Sequence, residues 1–280
     1  MKKYVFIITF ILSGFAFLFN SCEQKDDNLP EVEVAEDDAL TTLVFEDVYS
    51  EVEDALSTME SVIYHNGKKS ATEVTCKTVT IEHPDDSTFW PRTVTVDYGD
   101  GCTGPNGRMR SGKIIIVVNK PYLDSTHYRT VTFEDYYVDG YHVEGQKNIV
   151  NEGLNEANNY VFSVSLVGGK VTSPDGQVMT REFSRQREWV AGSDTPGYRM
   201  DDEYMITGVA EGINRKGLTY SRTILTPLHV SLSCPWIMSG SVEIQAEERE
   251  TAVLDYGDGT CDRFATVTVG DQTRTIRLHR

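Results

Sequence analysis

The chain has 280 residues, a formal charge of −17 and 25% charged residues. So acidic a body repels nucleic acid and anionic lipid, which argues against both as partners. The length is sufficient for a real core, in one large unit or two smaller ones.

Residues 1–21 read as a signal peptide. Lys2 and Lys3 form its positive start, and the apolar run from Tyr4 to Phe19 is too short for a stable span. The run ends in Leu18-Phe19-Asn20-Ser21-Cys22, which resembles a bacterial lipobox, with Asn20 where a smaller residue is commoner. That resemblance implies cleavage before Cys22 and acylation of its thiol. Acyl chains contribute about 0.8 kcal/mol per buried CH₂, so several of them anchor a protein permanently in practice. An ordinary secretory signal with a stray cysteine is the alternative. The next residues, Glu23-Gln24-Lys25-Asp26-Asp27-Asn28, resemble the acidic export signal of Bacteroidota lipoproteins. The implied address is the outer membrane, lipid-anchored and facing outward, although a plain charged tether has the same composition. Residues 22–36 are expected to form an acidic flexible tether, too polar to fold alone.

A helical segment is expected over 37–67. From Asp38 to His65, apolar residues such as Leu40, Leu43, Val44, Val48, Val52, Leu56 and Met59 recur at three- and four-residue steps. Glu36, Asp37 and Asp38 suit its N-terminus, and Asn66-Gly67 suits its end. Its wide apolar face needs a cover, either the sheet that follows or a partner helix in an oligomer.

From residue 72 to 280 the period is 2, the mark of strands. Lys113 to Val118 is apolar on both sides and belongs in the best-buried strand. Hairpin turns are expected at Asp139-Gly140, at Pro174-Asp175-Gly176, over Asn214 to Gly217 and at Gly270-Asp271, with Gly168-Gly169 turning the strand that starts at Tyr160. Roughly a dozen short strands with no second helix predict antiparallel pairing. Gln177 to Glu188 carries polar residues on both faces. The expected fold is therefore mainly β with one N-terminal helix: a large curved antiparallel meander sheet, partly single-layered, with the helix packed on it. A two-domain β-sandwich is the alternative.

One motif occurs twice. Asp97-Tyr98-Gly99-Asp100-Gly101-Cys102 returns as Asp255-Tyr256-Gly257-Asp258-Gly259-Thr260-Cys261, with one inserted threonine. Cys76 and Cys234 precede the copies at the same offset as Asp97 and Asp255, 158 positions. This is an internal duplication, with cysteine units at 76–119 and 234–280. Four cysteines besides Cys22 in an exported chain favour disulfides. Three pairings are possible, and the repeat selects Cys76–Cys102 with Cys234–Cys261.

The run Thr93 to Cys102, then Arg110-Ser111-Gly112-Lys113-Ile114, Pro174-Asp175-Gly176 and the second Asp-Tyr-Gly-Asp-Gly-Thr-Cys resemble an uncharacterised group of Bacteroidota surface lipoproteins. The resemblance covers most of the chain after the helix and implies a layout but no activity. A fainter likeness is to polycystic-kidney-disease modules, extracellular sandwiches with a Gly-Asp-Gly turn after an aromatic, whose later pattern is missing here.

Three chemistries follow from particular residues. Asp97, Asp100, Asp255 and Asp258 could offer oxygen ligands to Ca²⁺, although the same spacing suits tight turns. Arg181, Phe183, Arg185, Arg187 and Trp189 lie with Met179 on one face of a strand. Guanidinium forks hold carboxylates and sulfates and rings stack on sugars, so an acidic glycan is the candidate ligand. The alternative is a cross-strand ladder with acids such as Glu203 or Glu211. Catalytic residues are not indicated: there is no nucleophile elbow, zinc-binding helix or phosphate loop, and the six histidines are scattered. Abundant carboxylates leave a glycoside hydrolase as a distant third reading. The expected role is non-catalytic, binding or structural, without a cofactor, with a glycan or another surface protein as partner.

Overall fold

The computed structural model describes residues 29–66, 71–74, 76–83, 89–195 and 198–278. The expected signal peptide, Cys22 and most of the expected tether lie outside them.

One helix, α1 (Pro30–Asn66), precedes fifteen strands: β1 (Ala71–Val74), β2 (Lys77–Glu82), β3 (Arg92–Asp97), β4 (Cys102–Thr103), β5 (Met109–Val118), β6 (Tyr128–Val138), β7 (Tyr141–Leu154), β8 (Tyr160–Thr172), β9 (Val178–Ala191), β10 (Glu203–Ile213), β11 (Thr219–Ser231), β12 (Ile237–Ala246), β13 (Ala252–Asp258), β14 (Phe264–Val269) and β15 (Gln272–Arg277). All belong to one open antiparallel sheet. Each strand pairs with its sequence neighbours except β4, a short side branch on β5. A single sheet excludes the two-domain sandwich.

The helix starts eight residues before the expected Asp38. Leu29 closes the first turn, its carbonyl accepting from Val32 N at 2.9 Å. Pro30 stands at the first helical position, where a missing N–H costs nothing, and Glu31 and Glu33 complement the positive end of the helix dipole. The acidic stretch assigned to a tether therefore folds from Pro30 onward, because Val32, Val34 and Ala35 find a core to enter.

The helix has no single wet face either. From Pro30 to Val62 only Asp54 and Ser61 are exposed. Its first half, through Val32, Ala35, Ala39 and Leu43, packs in one core with Ile206 of β10 and residues of β11–β15. Its second half, from Leu40 to Met59, packs in another with residues of β2–β10. One sheet reaches the helix from both sides, so the sheet is rolled around it. The dimensions agree: 37 helical residues span ~55 Å and the 14-residue strands ~46 Å. The inner face of the middle strands is thus covered by the helix along its length, not left open as a bare single layer.

Glycine bulges supply the bend. The pairing register shifts at Gly112 of β5, Gly145 of β7, Gly208 of β10 and Gly240 of β12. At Gly208, φ is +131° and a Cβ would stand 2.4 Å from Ser184 O. Only glycine lets the neighbouring backbone come so close, and each bulge adds local twist and coil. Gly168-Gly169 belongs to this set. It does not end its strand as expected; β8 runs on to Thr172 across a register shift between Leu166 and Gly169. Asp139-Gly140, with φ of +51° and +84°, makes the expected two-residue hairpin.

Both disulfides, Cys76–Cys102 and Cys234–Cys261, are present, closing loops with separations of 26 and 27 residues. In the chain-entropy picture each contributes roughly 3–4 kcal/mol. Each bridge clasps a hairpin, β2–β3 or β12–β13. The duplicated tyrosines both turn inward. Tyr98 donates to Glu51 Oε2 at 2.6 Å, and Tyr256 is buried beside Arg222 and Asp38. The two copies hold the helix at points ~20 Å apart.

Candidate functional site

Between Pro30 and Asn66 the helix carries eleven acidic residues and no lysine or arginine. The inner face of the sheet carries the matching cations. Asp38 meets Arg181 at 2.5 Å and Arg222 at 3.0 Å. Glu46 meets Arg187 at 2.5 Å and Arg185 at 2.8 Å. Asp47 accepts a two-pronged contact from Arg110, at 2.6 and 3.1 Å, and Glu51 meets Lys77 at 2.6 Å. Glu53 pairs with Arg129, and Asp37 with Arg215.

This places the Arg and aromatic stripe. Arg181, Phe183, Arg185, Arg187 and Trp189 do share one strand face, and that face looks inward, each residue less than 9% exposed. Arg187 is held between the rings of Tyr49 and Tyr204 at 3.9 and 4.1 Å, and Arg185 lies over Phe183 at 3.8 Å. No glycan reaches them, so the surface-site reading is corrected. The expected ladder partners are corrected too: the acids are those of α1, because a helix laid in the groove offers carboxylates along its whole length. Burial alone would raise Glu46, yet Arg187, Arg185 and Lys147 hold it down to about 2. Burial pushes Lys147 well below the usual lysine range, and its Nζ donates to Phe45 O at 3.2 Å.

The duplicated turns are built as turns. Asp97 Oδ1 accepts from Gly99 N, and Asp255 Oδ1 from Gly257 N, both at 2.8 Å. Asp258 Oδ1 accepts from Thr260 N and Oγ1. Asp100 is exposed at the tip of the first copy. Among the described residues no three His, Cys, Asp or Glu side chains converge on a metal position. The Ca²⁺ reading of Asp97, Asp100, Asp255 and Asp258 therefore gives way to turn capping.

One concavity, of about 180 Å³, sits at the second duplicated turn, lined by Asp255, Asp258 and Asp262, and two lie elsewhere. A broad trough of about 960 Å³ crosses the outer face from β8 to β12, lined by Thr180, Glu182, Glu211, Ser221 and Gln245. Its polar side chains reach solvent, so nothing in it is left wanting. The second is a cleft of about 80 Å³ beside the carboxyl half of α1, where Glu53, Glu60, Tyr122, Trp189, Arg199, Asp202 and Tyr204 meet. Its walls are an aromatic cluster: Trp189 stacks on Tyr204 with centroids 5.9 Å apart and meets Tyr122 edge-on at 6.2 Å. Arg199 and Asp202 come from the connection between β9 and β10, anchored by Asp202 N donating to Arg199 O and Leu232 N to Asp202 O. Burial pushes Asp202 up to about 7, against the pull of Arg199. Burial also raises Glu60, although Tyr122 N donates to its Oε1 at 3.1 Å. Arg129 keeps Glu53 below the usual range in spite of its burial.

Strand alternation places Trp189 in a stripe but does not reveal this cleft, whose other polar walls come from a loop and a helix far apart in sequence. No family model, curated protein or solved structure matches the chain.

Proposed function

We propose that the chain is a lipid-anchored protein of the outer membrane, acylated at Cys22 and facing outward, with a non-catalytic binding or structural role. The observation that carries the role is the filled groove. The cations of the stripe are engaged by helix acids, so the inner face serves the fold and recognition falls to the outside. That outside mixes short hydroxyl side chains, with facing pairs such as Thr80–Thr95, Ser165–Ser184 and Thr268–Thr273, with exposed apolar ones such as Val167, Val209 and Leu225. A wide sheet face of mixed hydroxyl and apolar side chains suits a glycan or another surface protein as partner.

Two observations support the anchor. Lys2 to Cys22 reads as a lipoprotein signal, and the folded body begins at Pro30, so seven residues separate Cys22 from the helix. They reach at most ~25 Å, which keeps the platform close to the bilayer. Among the described residues no helix is long and apolar enough to cross a membrane.

The test is metabolic labelling with a palmitate analogue in a Bacteroidota host, with protease treatment of intact cells. The wild-type chain takes up label and is digested from outside. Cys22→Ala takes up none and leaves the membrane fraction. Label retained by Cys22→Ala, or a wild-type chain recovered unmodified in the medium, defeats the reading.

A further inference from the structure

The sheet is open, and its path ends in two outer strands, β1 and β15. β1 has four residues and one acid, Glu73. β15 has six residues, no proline and no bulge in its pairing with β14, so only its charges blunt the edge. The phase of its ladder is fixed from both ends. Gly270-Asp271 closes a two-residue hairpin, which makes Val269 and Gln272 a hydrogen-bonded pair. At the far end Leu278 N donates to Arg263 O at 2.8 Å. Pairs alternate between these points, so Gln272, Arg274, Ile276 and Leu278 turn their backbone groups toward β14. Thr273, Thr275 and Arg277 turn theirs away. The Thr268 and Thr273 hydroxyls, 3.0 Å apart, mark the close approach of a pair without backbone bonds. Three N–H and three C=O groups thus face outward, with no strand beyond them among the described residues.

The charge on this edge is opposite to that of the body. The chain carries −17, yet from Arg263 to Leu278 there are three arginines and one acid, Asp271. Inside the roll, arginines are held by the acids of α1. Arg263, Arg274 and Arg277 have no ion pair among the described residues, and Arg263 and Arg277 are exposed. Arg274 and Arg277 stand three positions apart, so they project from opposite faces, about 10 Å apart along the strand. We propose that β15 takes up an extended acidic peptide segment of another protein as a further strand, with carboxylates three residues apart on Arg274 and Arg277.

The two parts of the edge have separate tasks. Backbone pairing through Thr273, Thr275 and Arg277 supplies affinity without regard to sequence, as in other strand additions. The arginines supply the choice, since opposite charges across neighbouring strands attract and like charges repel. A guanidinium fork also matches a carboxylate in shape. A second copy of the chain fits worse, because it brings the same arginines and a body of the same sign.

The inference rests on the binding role proposed above and narrows it to a peptide partner. Labelling tests the anchor and peptide binding tests the edge, so the two readings fail separately. The experiment titrates the purified full chain against fluorescent, end-blocked peptides of threonine and valine, about eight residues long, followed by anisotropy. One peptide has glutamates three residues apart, a second has lysines in their place, and a third is the first with alternate peptide nitrogens methylated. The glutamate peptide binds, and the other two bind at least about tenfold more weakly. Thr275→Pro removes an outward N–H without breaking a bond to β14. It loses at least about tenfold in binding while melting as cooperatively as the parent. Arg274→Glu combined with Arg277→Glu reverses the preference toward the lysine peptide. The peptide comparison needs only the parent chain, so it stands even if a variant fails to fold. No binding of the glutamate peptide at about 1 mM overturns the proposal. So does equal binding of the lysine or methylated peptide, or undiminished binding to a folded Thr275→Pro. A parent chain that sediments as a dimer, and as a monomer once it carries Thr275→Pro, also overturns it, because the occupant is then a second copy.

Discussion

Glu46 shows what a single buried charge does in this interior. It faces Arg185, Arg187 and Lys147 and has no second carboxylate to share the task. Paired charges in a core are weak evidence of net stability, since desolvation offsets their attraction, but removing one partner strands the others. Glu46→Gln is therefore expected to cost about 3–5 kcal/mol in a denaturant titration, with the outer face unchanged. The acid limb of stability follows from the same residue. Its folded value of about 2 lies below 4.5 in the unfolded chain, so its contribution is present above 4.5 and is lost as pH falls toward 2. That loss is about 3 kcal/mol, and Glu51 and Glu53, also lowered, add to it in the same direction. Denaturation midpoints should fall steeply over this window, and less steeply in Glu46→Gln. At this scale the sequence was half legible. Alternation put Arg181 to Trp189 on one strand face, but periodicity cannot say which face looks inward. The missing signal was in the helix: eleven acids with no base is a poor surface and a good counterpart for an arginine stripe.

Among elements, the bulged strands determine the shape. Every shift in register near Gly112, Gly145, Gly169, Gly208 and Gly240 turns the sheet a little further round the helix. Gly208→Ala should cost about 1–3 kcal/mol or more, because it adds backbone strain at positive φ and pushes a methyl into Ser184 O. A thermal melt of that variant, beside an alanine change at an open turn such as Gly176, separates the bulge from a general glycine effect. The turns were legible because Asp-Gly and Asn-x-x-Gly state their own geometry locally. The bulges were not: Gly168-Gly169 reads as a turn until a partner strand is seen to continue past it. The helix start was missed for a related reason. Composition marked residues 30–36 as too polar to fold alone, which is true of the isolated segment and irrelevant once a sheet encloses it.

The whole molecule is a roll, and α1 is its axle. The duplicated clasps were read from spacing alone, since equal offsets between cysteines survive any uncertainty about strands. The enclosure was not readable, because it depends on curvature accumulated over fourteen strands. One consequence concerns the order in which the chain is made. The helix leaves the ribosome before any strand, yet its first half rests on β11–β15, the last to appear. Contacts of that sequence separation make folding slow and late. A chain lacking residues 247–280 should retain strand signal by circular dichroism yet show no cooperative melt. Until its final hairpin arrives, the nascent protein holds an acidic rod with nowhere to lie, so it commits to its shape only once the last strands have been made.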